Sequence, residues 1–145
     1  MDNNLLLVSR YFMKFYESFC VDVCKKHDLV QMEMDILAFV ANHPGLNTAS
    51  DIVEVRMFTK SNVSAMVEQL IQKGLLQREE DKEDRRKIHL IIKPKANPII
   101  KDIKKMQLRF SKELMTGFSE EEEKLFGQFI DRMLSNVMEG IRGNK

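Results

Sequence analysis

Residues 48–92 read TASDIVEVRMFTKSNVSAMVEQLIQKGLLQREEDKEDRRKIHLII: two short helical patterns, then two β-like runs around a block of charge. Thr48 or Ser50 can cap the first helix, whose inward residues are expected to be Ile52, Val53 and Val55. Thr59 opens the second, which runs to about Lys73. There Val63, Met66, Val67 and Leu70 recur at the spacing of one helix face. Gly74 stands where a left-handed C′ glycine belongs. Leu75–Glu79 and Lys87–Ile92 then read as antiparallel strands, and Asp81–Lys87 sets seven charged residues between the two apolar runs.

Outward from this stretch the chain is helical. Leu5, Val8, Phe12, Phe15, Tyr16, Phe19 and Val23 mark a helix over 4–26, and Met34, Ile36, Leu37, Phe39 and Val40 a second over 31–42, stopped by His43-Pro44-Gly45. Asn97-Pro98 is a cap and first-turn pair for a long helix from about 98 to 116, with Ile99, Ile103, Met106, Phe110 and Leu114 on one face and Gly117 at its end. Ser119 with Glu122 forms a capping box for a last helix, whose stripe runs from Leu125 through Phe129 and Met133 to Ile141. The order is a winged helix-turn-helix flanked by long helices: a mainly α fold with a small β-hairpin wing. It implies a single domain, with a winged-helix lobe over 30–95 and a helical lobe from 1–29 together with 96–145. The terminal stripes carry more apolar surface than so small a lobe can cover, so they are expected to pair with a second copy of the chain.

Bulk composition neither makes nor breaks a functional case. Apolar residues at 43% and charged residues at 31% describe a globular chain, and 23 basic against 22 acidic side chains leave a net charge of +1. A nucleic-acid role must therefore rest on local distribution. Residues 44–95 hold 10 basic and 8 acidic side chains, residues 1–43 hold 4 and 6. The apolar run LLLV near the N-terminus is too short for a signal peptide or a membrane span, so a cytoplasmic protein with reduced thiols is expected. No phosphate loop, nucleophile elbow or His-x-x-x-His pair is present, and no enzyme is expected.

The same residues resemble the multiple-antibiotic-resistance regulator (MarR) family of transcription factors. QLIQKGLLQREED, residues 69–81, is similar to the family's helix end and first wing strand. Asp84-Arg85-Arg86 before an apolar strand looks like its Asp-x-Arg wing signature. Two departures stand out. Ile92-Lys93 and Ala96, with Pro94 and Pro98, replace the family's Leu-Thr and following Gly, so the junction to the long helix is expected to be reshaped or to begin later. Ala65 and Gln69 stand where Arg is common.

The resemblance implies a homodimer on a pseudo-palindromic operator, a repressor, and small aromatic or lipophilic effectors as a further class of partner. No cofactor is expected. On the second helix, Lys60 can reach guanine or phosphate, and Asn62 and Gln69 can pair with adenine. Ser61 and Ser64 can hold phosphates, and Ala65 can touch a thymine methyl. Glu68 is the residue that does not fit. In the wing, Arg86 is expected to enter the minor groove, Arg85 and Lys87 to meet phosphates, and Asp84 to hold the tip in shape. The alternative is a winged helix used for protein–protein contact. Glu17, Cys20, Cys24 and His27 share a helix face at spacings suited to a metal or thiol-sensor site, or to plain packing. His43 reads as a cap or surface residue, and His89 as a residue that packs or faces solvent.

Overall fold

The computed structural model describes residues 4–143; residues 1–3 and 144–145, the two ends of the expected single domain, lie outside the described residues. The order is α1 (Asn4–His27), α2 (Gln31–Asn42), α3 (Ala49–Arg56), α4 (Lys60–Gln72), β1 (Leu76–Glu80), β2 (Ile88–Ile92), a 3-10 turn (Pro94–Ala96), α5 (Asn97–Leu114) and α6 (Glu120–Gly143). The chain divides into two compact units, one ending at Phe110 and the other beginning at Ser111, so α5 runs across the division.

In the first unit, the core gathers α2, α3, α4 and the hairpin. Met34, Ile36, Leu37, Ile52, Val63, Leu70 and Leu76 are almost wholly removed from solvent. Thr48 caps α3 by accepting from Asp51 N–H at 3.1 Å while Asp51 accepts from Thr48 N–H, a reciprocal box. Thr59 caps α4 by accepting from Asn62 N–H at 3.2 Å, without a return bond. Gly74 ends the turn after α4 at φ +75°, a conformation that costs a Cβ-bearing residue about 1 kcal/mol. Val55, expected to face inward, is 52% exposed: α3 has only eight residues and buries one row, through Ile52. The strands pair Leu76 with Ile92 through Glu80 with Ile88, one residue later at the start than the sequence suggests, because Leu75 closes the α4 turn by donating to Leu70 O.

Buried charge is paired. Glu33 of α2 reaches back to Val30 N–H at 3.0 Å and holds Lys73, at the end of α4, within 2.9 Å. Asp35 is pushed above the usual carboxylate range by burial, against the opposing pull of Arg56 at 3.4 Å.

α1 and α5 meet around one ring. Phe110 has Phe12, Phe15, Tyr16 and Phe19 at centroid distances of 5.1–5.5 Å, edge-on or tilted, each pair contributing about 0.5–1.5 kcal/mol beyond area burial. Asp102 of α5 accepts from Lys26 and His27 of α1 at 2.8 Å each, and this pairing holds its carboxyl at about 2. The start of α5 departs from the expected Asn97 cap. Asn97 is already helical, and the turn begins at Pro94, whose fixed φ follows an extended Lys93. The junction therefore begins earlier, not later.

In the second unit, Gly117 takes φ +86° and Ser119 opens α6 with the expected box: Ser119 N–H donates to Glu122 at 2.8 Å and Glu122 N–H to Ser119 Oγ at 3.2 Å. α6 buries none of its residues; Leu125, Phe126, Phe129, Ile130, Met133, Leu134, Val137 and Ile141 are all exposed.

Candidate nucleic-acid interface

With Val63, Val67 and Leu70 seated in the core, α4 turns Lys60, Ser61, Asn62, Ser64, Ala65 and Gln69 to solvent. These are the six helix positions read from the sequence as base or phosphate contacts, and they form one polar surface led by the helix N-terminus. Lys60 and Ser64 share a shallow hollow with Ala49, Ser50 and Val53 of α3. Met66, expected to be inward, is half-buried.

Glu68, the residue that fitted no DNA role, is drawn aside by β1. Arg78 donates to its carboxylate at 2.9 Å and Gln72 at 3.3 Å, and the Arg78 contact pulls the carboxyl below its ordinary range.

The wing tip is a knot of carboxylate-to-backbone bonds. Asp81 N–H donates to Lys87 O at 3.0 Å and closes the hairpin. The Asp81 side chain accepts from Glu83 N–H at 3.0 Å and Asp84 N–H at 2.9 Å. Asp84 in turn accepts from Arg86 N–H at 3.0 Å and has Arg86 Nε at 3.7 Å, while Lys87 N–H donates to Asp84 O. Two successive Asx turns thus shape the loop that carries Arg85, Arg86 and Lys87, all exposed. The Arg86 side chain is 95% exposed. Its charge is presented outward from an ordered backbone.

Asp81 entered the sequence reading only as part of the charged run, and its partner His89 only as a residue that packs or faces solvent. The His89 ring lies between two segments: Nδ1 is 2.6 Å from Asn47 Oδ1 and Nε2 is 2.8 Å from Asp81 Oδ1. This contact holds the Asp81 carboxyl at about 2, helped by the Asp84 and Glu83 amides. The only local hint is an Asp at the first tip position, where Asx turns start; Asn47 lies 42 residues from His89 along the chain.

The α1 cluster does not assemble. Cys20 is buried and donates to Tyr16 O at 3.3 Å; burial pushes its thiol up to about 12, and raises Cys24 as well. His27 faces Asp102 instead. Among the described residues no group of three or more His, Cys, Asp or Glu gathers to hold a metal.

Residues 27–87 match the model of the MarR family. Transcriptional regulator HosA of Escherichia coli O157:H7 is 23% identical over 108 residues, 74% of this chain and 79% of HosA. The fold is shared with the MepR–DNA complex of S. aureus (TM-score 0.69, 18% identity, 91% of each chain). It is shared also with Bordetella bronchiseptica BpsR, whose DNA binding is regulated by 6-hydroxynicotinic acid (TM-score 0.70, 16% identity, 91% of this chain and 98% of that one).

Proposed function

We propose, from the match of residues 27–87 to the MarR family model and the likeness to HosA, that the chain is a MarR-type homodimeric repressor that grips a pseudo-palindromic DNA site with α4 and the wing. The observation that carries this reading is the pairing of an N-capped helix exposing Lys60, Ser61, Asn62, Ser64, Ala65 and Gln69 with a hairpin tip folded to present Arg86. α4 enters the major groove. Asn62 and Gln69 read adenine edges, Lys60 reads guanine or phosphate, Ser61 and Ser64 hold the backbone, and Ala65 lies against a thymine methyl. Arg86 enters the minor groove beside it, with Arg85 and Lys87 on phosphates. Asp84 shapes the tip and does not touch DNA.

The exposed apolar stripe of α6 and the uncovered Leu5, Val8, Phe12 and Phe15 of α1 support the dimer, since a second copy is the simplest cover for such surfaces. In this reading residues 30–95 form the DNA-binding lobe, and 1–29 with 96–145 the dimerisation lobe. A small aromatic or lipophilic effector shifts the spacing of the two recognition helices and releases the DNA. No described helix is long and apolar enough to cross a membrane; the site of action is the cytoplasm, and the work is regulatory, not enzymatic.

Fluorescence anisotropy on the DNA upstream of the protein's own gene tests the reading. Tight binding that falls steeply with salt, and that Arg86→Ala weakens with a salt slope lower by about 1, is expected. Failure to bind even long unselected DNA at low salt overturns it in favour of a protein-binding winged helix. Sedimentation velocity tests the dimer in the same samples.

A further inference from the structure

His89 is half-buried on β2 and touches two segments far apart in sequence. Asn47 belongs to the loop that enters α3 and also accepts Leu90 N–H through its backbone carbonyl at 2.7 Å. Asp81 is the first residue of the wing tip, and its second oxygen holds the Glu83 and Asp84 amides. One imidazole thus links the turn that presents Arg86 to the helix-turn-helix. Both ring nitrogens face oxygen atoms, and the ring that donates at both carries two protons. Glu79 stands opposite in the strand register, and Glu80, Asp81 and Glu83 line the same hollow against the single Lys82. Among the described residues that hollow takes no charged group from α2 or α3, which pack on β2.

We propose that His89 is a positioning residue for DNA binding: doubly protonated, it ties the wing tip to the loop before α3, so that DNA affinity rises as this ring gains its second proton. The inference rests on the DNA-binding reading above and adds regulation to it. A neutral ring has one N–H and turns a lone pair toward the other oxygen; it loses that tie unless the Asn47 amide turns to present its NH2. Histidine as a side-chain type changes charge closest to neutral pH, so pH is the variable that tests this tie.

The test is anisotropy on the same DNA with the full chain, at constant ionic strength, from about pH 5.5 to about pH 8.5. It compares wild type, His89→Gln, Arg86→Ala and the double variant. Gln offers an amide NH2 and a carbonyl oxygen at one end only, and it does not titrate. Wild-type affinity is expected to fall about tenfold as pH rises, the scale of one hydrogen bond to a charged group. His89→Gln is expected to be weak throughout and nearly flat. Because the ring acts through the tip, His89→Gln is expected to add little once Arg86 is Ala. Asn47→Ala, which leaves β2 intact, is the second variant and is expected to flatten the slope likewise. Equal slopes in wild type, His89→Gln and Asn47→Ala overturn this inference alone. No DNA binding by the wild type at any pH refutes the underlying reading and takes this one with it.

Discussion

Arg78 of β1 holds Glu68 of α4 at 2.9 Å, so the wing neutralises the one carboxylate that the exposed helix face carries. Both side chains are half-exposed, and the pair is a minor contributor to stability. Its effect is on the field a polyanion meets. Arg78→Ala is expected to weaken DNA binding several-fold. Adding Glu68→Gln is expected to restore most of it, with Tm nearly unchanged in both. Titrations of the single and double variants against one duplex measure the restoration; no recovery in the double variant would mean that Arg78 meets DNA itself.

Lys73 is the cation that makes buried Glu33 tolerable. Lys73→Met leaves that carboxylate unpaired and is expected to cost about 2–3 kcal/mol by urea unfolding, below the roughly 3–5 kcal/mol of a fully buried pair because Lys73 is partly exposed. Glu33→Gln in the same background is expected to recover part of the loss.

Burial separates two aliphatic residues three positions apart on α3. Ile52→Ala is expected to cost about 2–5 kcal/mol, since Ile52 is wholly enclosed. Val55→Ala is expected to change stability by under about 0.5 kcal/mol. Similar losses at the two sites would contradict the orientation of α3.

Acid is expected to destabilise the fold in a defined window. Asp81 and Asp102 are held at about 2, below the ordinary 3.8. A lowered carboxyl contributes stability above its unfolded value and loses it as pH falls through its folded one. The loss therefore falls between about pH 4 and about pH 2. Asp102→Asn, followed by thermal unfolding, is expected to flatten part of that slope; an unchanged slope would reject the role of the Lys26–Asp102–His27 group.

Cys20 is expected to resist alkylation. Its thiol, pushed up to about 12, supplies almost no thiolate at pH 8, and the side chain is enclosed. Iodoacetamide is expected to label Cys24 first in the native protein and both residues at similar rates in denaturant, as mass spectrometry would read. Rapid native labelling of Cys20 would revive a sensor role.

Much of this was legible in the residues, and the reason is locality. Thr48, Thr59, Gly74, Gly117 and the Ser119–Glu122 box act over three or four positions, so a sequence displays them directly. The exposed polar face of α4 follows from where Val63, Val67 and Leu70 sit. What the sequence concealed is relational. Glu68 looked misplaced because its partner lies on a strand, and His89 looked idle because Asn47 is far along the chain. Asn97-Pro98 read as a helix start because nothing local tells one proline turn from the next; Pro94, directly after the strand, took the role.

That proline has a mechanical consequence. Lys93 alone separates β2 from the turn that becomes α5, and it is tied down: its N–H donates to Leu75 O at 3.0 Å, while Lys95 Nζ reaches Lys73 O at 2.9 Å. Strand and helix are consecutive arms of one crank with no slack at the elbow. A tilt in the first turns of α5 is delivered to the root of the wing with no flexible linker to absorb it.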